Sequence, residues 1–317
     1  MLVSFTLSLF SVLAFASPTL AASYTLTDTY IGQDFLTDFT VQNIPDPTNG
    51  RVNYVDAATA AQDNLTFASS TNFIARADFT TTLNPDGPGR NSVRLQSNKQ
   101  YGIGTVLVAN LNHMPEGCGT WPAWWTVGEN WPANGEIDII EGVNNVGTNQ
   151  GTLHTSPGCS MPASRSETGT ALQADCDTSV NSNAGCGVTF GDSRSFGPTF
   201  NDNNGGWYAM ELAQDSVKIW FWARGTSLPS GVSEGSATID TDNWGTPVAY
   251  FPNSSTCSLS SHFGPQNIII NLTFCGDWAG AAYPSDNCPS DCIDYVNNNP
   301  AAFENAYFDF VSLRAYT

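Results

Sequence analysis

"NGEIDIIEGV", residues 134–143, places three carboxylates, Glu136, Asp138 and Glu141, in a run that otherwise has the isoleucine-rich character of a buried strand. Side chains on a strand alternate between faces with period two, so Glu136 and Asp138 share a face and Glu141 turns to the other. A β-bulge removes the conflict. One extra residue at Ile139 or Ile140 returns everything beyond it to the first face, and all three acids then line one surface. The bulge also bends the strand. An unbent strand rising ~3.3 Å per residue would hold the outer Cα atoms roughly 13 Å apart, too far for the outer two carboxyl groups to act on one bond. Curvature and inward-leaning side chains have to close that gap.

The residues just upstream carry the second half of the signal. "WPAWWTVGENWPANGEIDIIEGVN" packs Trp121, Trp124, Trp125 and Trp131 ahead of the acids. Sugars present flat C–H faces that stack on indoles, and carboxylates perform glycosidic acid–base chemistry, so the combination suits a saccharide cleft. Calcium is the competing use of clustered acids. It needs oxygen ligands on a flexible turn with glycine at a set position, and these acids alternate with Ile137, Ile139 and Ile140. "DTDNWG" at 240–245 is closer to a calcium loop, but Phe251 stands where the bidentate glutamate belongs. No metal and no cofactor are expected.

Outward from this stretch, the apolar segments are short and bounded by Gly, Pro, Asn and Asp. "SVRLQSN" from Ser92, "GTVLVANLNH" from Gly104, "WYAMELA" from Trp207, "SVKIWFWAR" from Ser216, "NIIINLTF" from Asn267 and "YFDFVSLRAY" from Tyr307 all read as strands. In one of them Val217, Ile219 and Phe221 alternate with Lys218, Trp220 and Trp222, so the tryptophan face is not ordinary solvent surface. Helical periodicity is confined to a turn or two after Pro300, in "PAAFENAY". The fold class is therefore all-β: a β-sandwich jelly roll of two packed antiparallel sheets. No repeat or Ser/Thr/Pro-rich linker divides the chain, and residues 23–317 are expected to form a single domain.

Composition narrows the setting. Ten Lys and Arg face 29 Asp and Glu, for a formal charge of -19. Such a surface repels phosphate backbones and anionic bilayers, which argues against nucleic-acid and membrane partners. Residues 1–22 resemble a cleaved secretory signal peptide, apolar from Leu2 to Ala16 and then rich in small residues, although without a Lys or Arg at its start. The C-terminus has no lipid-anchor pattern. A secreted, extracellular protein follows, with monomer as the default. Eight cysteines bound for an oxidising compartment imply disulfides. Of the 105 possible pairings, only the intervals Cys176 to Cys186 and Cys288 to Cys292 hint at local bridges. Asn64, Asn253 and Asn271 open N-glycosylation sequons, the last inside an apolar strand.

The pattern Glu-x-Asp-x-x-Glu with "WPA" ahead of it resembles the signature of glycoside hydrolase family 16, in the bulged form of laminarinases rather than the unbulged Glu-x-Asp-x-Glu of lichenases and wall transglycosylases. "DPTNGRVNYVD", "GPGRNSVRL", "GCGTWPAWW", "TDNWGTPVAYFPN" and "NIIINLTFCGDWAG" extend the likeness to secreted fungal laminarinases, especially of basidiomycetes. That resemblance implies a concanavalin A-like sandwich with a concave substrate cleft, and a retaining endo-1,3(4)-β-glucanase acting on β-1,3- and mixed β-1,3/1,4-glucans. Glu136 would be the nucleophile, Glu141 the general acid and then base, and Asp138 a hydrogen-bond partner of the nucleophile. Trp125, Trp131, Trp278, Arg94 and His154 match sugar-contacting positions, while Trp121 and Trp124 are left to the core. The alternatives are a transglycosylase or β-galactan hydrolase on the same site, or a glucan-binding lectin without catalysis. Intact Glu136 and Glu141 weigh against the lectin.

Overall fold

The computed structural model describes residues 23–317 apart from Val146 and Glu234, and the leader expected over residues 1–22 lies outside the described residues. Each of the six segments read as strands forms one. They divide between two antiparallel sheets. The sheet that carries the acids runs, edge to edge, Thr170–Ala171, Val188–Thr189, Gln150–His154, Glu136–Glu141, Thr120–Gly128, Gln266–Phe274, Arg94–Tyr101 and Phe39–Val41. The second sheet runs Thr238–Asp240, Ser23–Tyr30, Tyr307–Tyr316, Thr105–His113, Gly206–Leu212, Ser216–Ala223 and Ala249–Pro252, with Phe73–Arg76 paired to Tyr307–Tyr316 and Thr66–Ala68 paired in turn to Phe73–Arg76. The result is a jelly-roll sandwich.

Alternation decides what lies between the sheets. Trp124, Ile137, Ile139 and Ile140 have no exposed surface and join Leu107, Leu111, Ile270 and Phe310 in the main core. Trp124 meets Phe310 edge-on, ring centres 6.5 Å apart. Burying each such side chain stabilises the fold by roughly 1.5–3 kcal/mol, so the strand holding the acids is anchored by the very isoleucines that separate them. On the outer face of the second sheet, Trp220 and Trp222 each meet Trp244 edge-on at 5.3 and 5.6 Å. Trp207, Val232 and Ile239 complete that layer, and it is a second core rather than solvent surface.

Two expectations are corrected. Cys288 and Cys292 do not pair with each other: the bridges are Cys118–Cys288, Cys159–Cys257, Cys176–Cys186 and Cys275–Cys292. Cys292 opens a helix, Cys292–Asn298, capped by the Asp291 side chain, and is directed to Cys275 at the end of the central strand Gln266–Phe274. Proximity in sequence lost to that packing. The turn after Pro300 is a short 3-10 helix, Pro300–Phe303, but it has company in Ala57–Gln62, Gly197–Asp202 and Cys292–Asn298. These helices are one or two turns long, too short for a 3.6-residue pattern to register.

Candidate active site

The extra residue in the acid strand is Ile139. Glu136–Glu141 pairs with Thr120–Gly128 in the register Asp138↔Trp125 and then Ile140↔Trp124, so Ile139 has no opposite number. Beyond it Glu141 stands opposite Ala123, two residues along from Trp125. Glu136, Asp138 and Glu141 therefore line one wall of a cleft of about 900 Å³ on the open face of the sheet, together with Trp121, Trp125, Trp131, Trp278, Arg94 and His154. All eight positions named for chemistry or sugar contact converge there. The cleft has the size and mixed lining of a ligand site.

Each acid has its own surroundings. Glu141 Oε1 accepts the indole N–H of Trp121 at 2.9 Å. Trp121 in turn meets Trp278 edge-on at 5.7 Å, so it belongs to the cleft and not to the core to which it was assigned. Period-two alternation back from Trp125 carries that information: residues 121, 123 and 125 share a face, and Trp124 alone points inward. Asp138 is fully buried, and His154 stands opposite Glu136 with its Nε2 3.4 Å from Asp138 Oδ2. His154 Nδ1 is 3.0 Å from Asn183 Oδ1. His154 thus stands between Asn183 and Asp138, one ring nitrogen toward each.

Burial is the first cause of every shift here. It pushes Glu136 and Glu141 each up to about 7 and holds Asp138 well above the usual carboxylate range, while it lowers His154. The smaller influences differ between the two glutamates. The Trp131 indole and Arg94 favour ionised Glu136; the Trp121 indole and His154 favour ionised Glu141, against a smaller rise from the charge on Glu136. Asp138 is raised further by both glutamates and by its hydrogen bond to Glu136, which makes it the donor in that pair. The three share protons as a unit.

The sugar-facing residues are held from behind. Arg94 Nε donates to Gln42 at 2.9 Å, and its guanidinium lies 5.0 Å from the centre of the Trp125 ring. Trp125 Nε1 donates to Asn271 Oδ1 at 2.7 Å, and Asn271 Nδ2 donates to Tyr54 Oη at 3.1 Å. Asn271 is thus a buried strut under the cleft floor, the one sequon asparagine of the three that is buried. Asn64 lies on an exposed turn, and Asn253 is exposed just after the strand Ala249–Pro252. Sequence reasoning also passed over Asp46, whose carboxylate ties Thr48, Gly50 and Thr273 at the rim, and the loop Asn181–Asn183. Three successive residues of that loop have positive φ, and Asn183 orients His154.

Among the described residues, two groups have the proximity of metal ligands. Cys159 and Cys257, beside His262, are joined in a disulfide and have no thiolate to offer. Glu136, Asp138 and His154 hold their ligand atoms within 4.8 Å of one another, inside the cleft already described.

An all-β sandwich whose open face gathers paired carboxylates and indoles in one cleft is the architecture of a glycoside hydrolase. The chain belongs to glycoside hydrolase family 16: residues 39–316 match the family described as XgeA-like, catalytic GH16 domain. Laminarinase 16A from Phanerochaete chrysosporium, solved with β-glucans in its donor and acceptor sites, is 55% identical and superposes with a TM-score of 0.91, covering 93% of this chain and 100% of that one. A family 16 β-1,3-glucosyltransferase described as elongating is 38% identical with a TM-score of 0.86, over 93% and 100% of the two chains. Among curated sequences, the endo-1,3(4)-beta-glucanase xgeA of Emericella nidulans is 40% identical over 306 residues, 93% of this chain and 48% of its own length. A Schizosaccharomyces pombe protein named "Probable glycosidase" is 43% identical over 300 residues, 93% of this chain and 70% of its own. The chain thus spans less than half of the Emericella relative.

Proposed function

We propose that the chain is a secreted endo-β-glucanase that cleaves internal bonds of β-1,3-glucans and mixed β-1,3/1,4-glucans with retention of anomeric configuration. The observation that carries this reading is the bulge at Ile139, which sets Glu141 on the same wall as Glu136 and Asp138 among the cleft indoles. The names of the relatives supply the sugar. In the first step Glu136 attacks the anomeric carbon while Glu141 gives its proton to the glycosidic oxygen, the bond to the leaving sugar breaks, and a glycosyl ester of Glu136 remains. In the second, Glu141 takes a proton from water as the water oxygen attacks the same carbon and frees the Glu136 carboxylate. Asp138 keeps a proton directed at Glu136 and restrains its charge until the sugar arrives. Arg94 offers planar donors to sugar hydroxyls from its position against Trp125.

Residues 23–317 act as one catalytic domain in this reading, monomeric, with neither nucleic acid nor membrane as partner. Four disulfides fit the secretory route, and among the described residues no helix is long and apolar enough to cross a membrane. Glycans are assigned to Asn64 and Asn253. The test is a substrate panel of laminarin, lichenan and a β-galactan, followed by reducing ends and product length. New ends from the first two and none from the galactan are expected. Cleavage of the galactan alone, or no new ends on any of the three, overturns the assignment.

A further inference from the structure

The bulge that brings Glu141 to the cleft also strips its strand of a neighbour. On the Gln150–His154 side, pairing among the described residues covers Glu136, Ile137 and Asp138 and stops there. One amide side chain stands where the ladder would continue. Asn149 Oδ1 accepts the Glu141 N–H at 3.0 Å, and Asn149 Nδ2 donates to the Ile139 carbonyl at 2.8 Å. The two backbone groups that the bulge leaves facing this way are one donor and one acceptor, and an amide presents one of each.

Asn149 is fully buried and is fixed at both of its own backbone groups. Its N–H donates to Ser195 Oγ at 3.0 Å, and its carbonyl accepts from the Phe190 N–H at 2.9 Å. Ser195 is fully buried too, and its carbonyl accepts the Tyr208 hydroxyl. A rigid chain of contacts thus runs from the second sheet through Ser195 and Asn149 to the peptide that bears Glu141. At the far end of the same side chain Trp121 grips the carboxyl. The acid is held at its root by Asn149 and at its tip by Trp121.

We propose that Asn149 is a positioning residue for the acid/base: it touches no substrate, and it fixes the backbone at the bulge so that Glu141 meets the glycosidic oxygen. This rests on Glu141 being the acid/base. A shift of about 1 Å in such a group costs on the order of 10²-fold in rate, because proton transfer in the transition state depends on alignment. The loss falls only on leaving groups that need a proton.

The experiment compares wild type, Asn149→Ala, Asn149→Asp, Ser195→Ala and Glu141→Gln in the full chain. The probes are laminarin and a 2,4-dinitrophenyl β-laminaribioside, the latter with and without sodium azide. The dinitrophenolate leaves without a proton, and azide attacks the anomeric carbon of the glycosyl ester, frees the Glu136 carboxylate and needs no base. For Asn149→Ala we expect laminarin kcat to fall roughly 10- to 100-fold with little change in KM. The burst of dinitrophenolate should stay near wild type, and azide should accelerate turnover and yield a β-glycosyl azide. Asn149→Asp should recover activity toward acid pH, where its protonated carboxyl again donates to the Ile139 carbonyl. Ser195→Ala, which withdraws one contact from Asn149, should show the same leaving-group signature more weakly, and decides the matter if Asn149→Ala does not fold. Equal loss on both substrates, or no loss on either, overturns the proposal. If Glu141→Gln itself keeps full laminarin turnover and shows no azide product, the acid/base assignment fails instead.

Discussion

Trp121 shows how a single residue is read in two ways. It stands three positions before Trp124, and both belong to an aromatic cluster, yet one caps the Glu141 carboxyl while the other fills the core. Strand alternation separates them once Trp125 is placed in the cleft. The indole N–H of Trp121 favours the ionised form of Glu141, so its removal pushes that acid's pKa further up. Trp121→Phe should lower kcat/KM on laminarin about tenfold, the equivalent of one hydrogen bond, and move the alkaline limb of the pH profile to higher pH. A limb displaced to lower pH would contradict the assignment of that bond. Glu136→Ser should abolish turnover while laminari-oligosaccharide binding survives, read by kinetics and calorimetry on the same preparation. Asn271 was legible only as a sequon, because its burial depends on Trp125 and Tyr54, which approach it from other strands.

At the scale of elements, the bulge was legible because three acids spaced two and three apart cannot share a face otherwise, while the flanking isoleucines demand a core. The six strands were legible for the same reason: alternation writes the two faces of a sheet directly into the sequence. What closes the cleft on the His154 side was not. The loop Asn181–Asn183 has no periodicity, and its shape comes from three residues with positive φ inside the ring closed by Cys176–Cys186. That bridge spans 10 residues, and losing it costs up to roughly 3 kcal/mol by the chain-entropy estimate. A Cys176→Ser, Cys186→Ser double variant should melt several degrees lower and raise KM more than it lowers kcat, because the loop lines the cleft and orients His154 while leaving the glutamates in place. A variant with kcat reduced and KM untouched would place the loop in the chemistry instead.

For the whole molecule, charge and fold pull in different directions. The formal charge of -19 already disfavours further negative charge, yet three acids are crowded into one cleft wall at a cost in stability that rises with pH. Glu136 and Glu141 have folded-state pKa values of about 7, above the ordinary 4.5, so the folded protein binds more protons than the unfolded chain between those limits. Their contribution to stability is present below about pH 4.5 and is lost as pH rises through 7. The melting temperature should therefore fall between pH 5 and 8, and Glu141→Gln should flatten that fall and melt above wild type at pH 8. A steeper fall in the variant would refute the cluster's role. The long-range disulfide Cys118–Cys288 was beyond the sequence at this scale, since a separation of 170 residues is set by how the sheets close and not by any local pattern. The most direct test of the whole account is the configuration of the first sugar released. Proton NMR of laminari-oligosaccharide hydrolysis should show the β-anomer appearing first and the α-anomer only later by mutarotation. An α-anomer formed first would mean that water attacks from the opposite face, and that Glu136 and Glu141 do not work as nucleophile and acid/base across one bond.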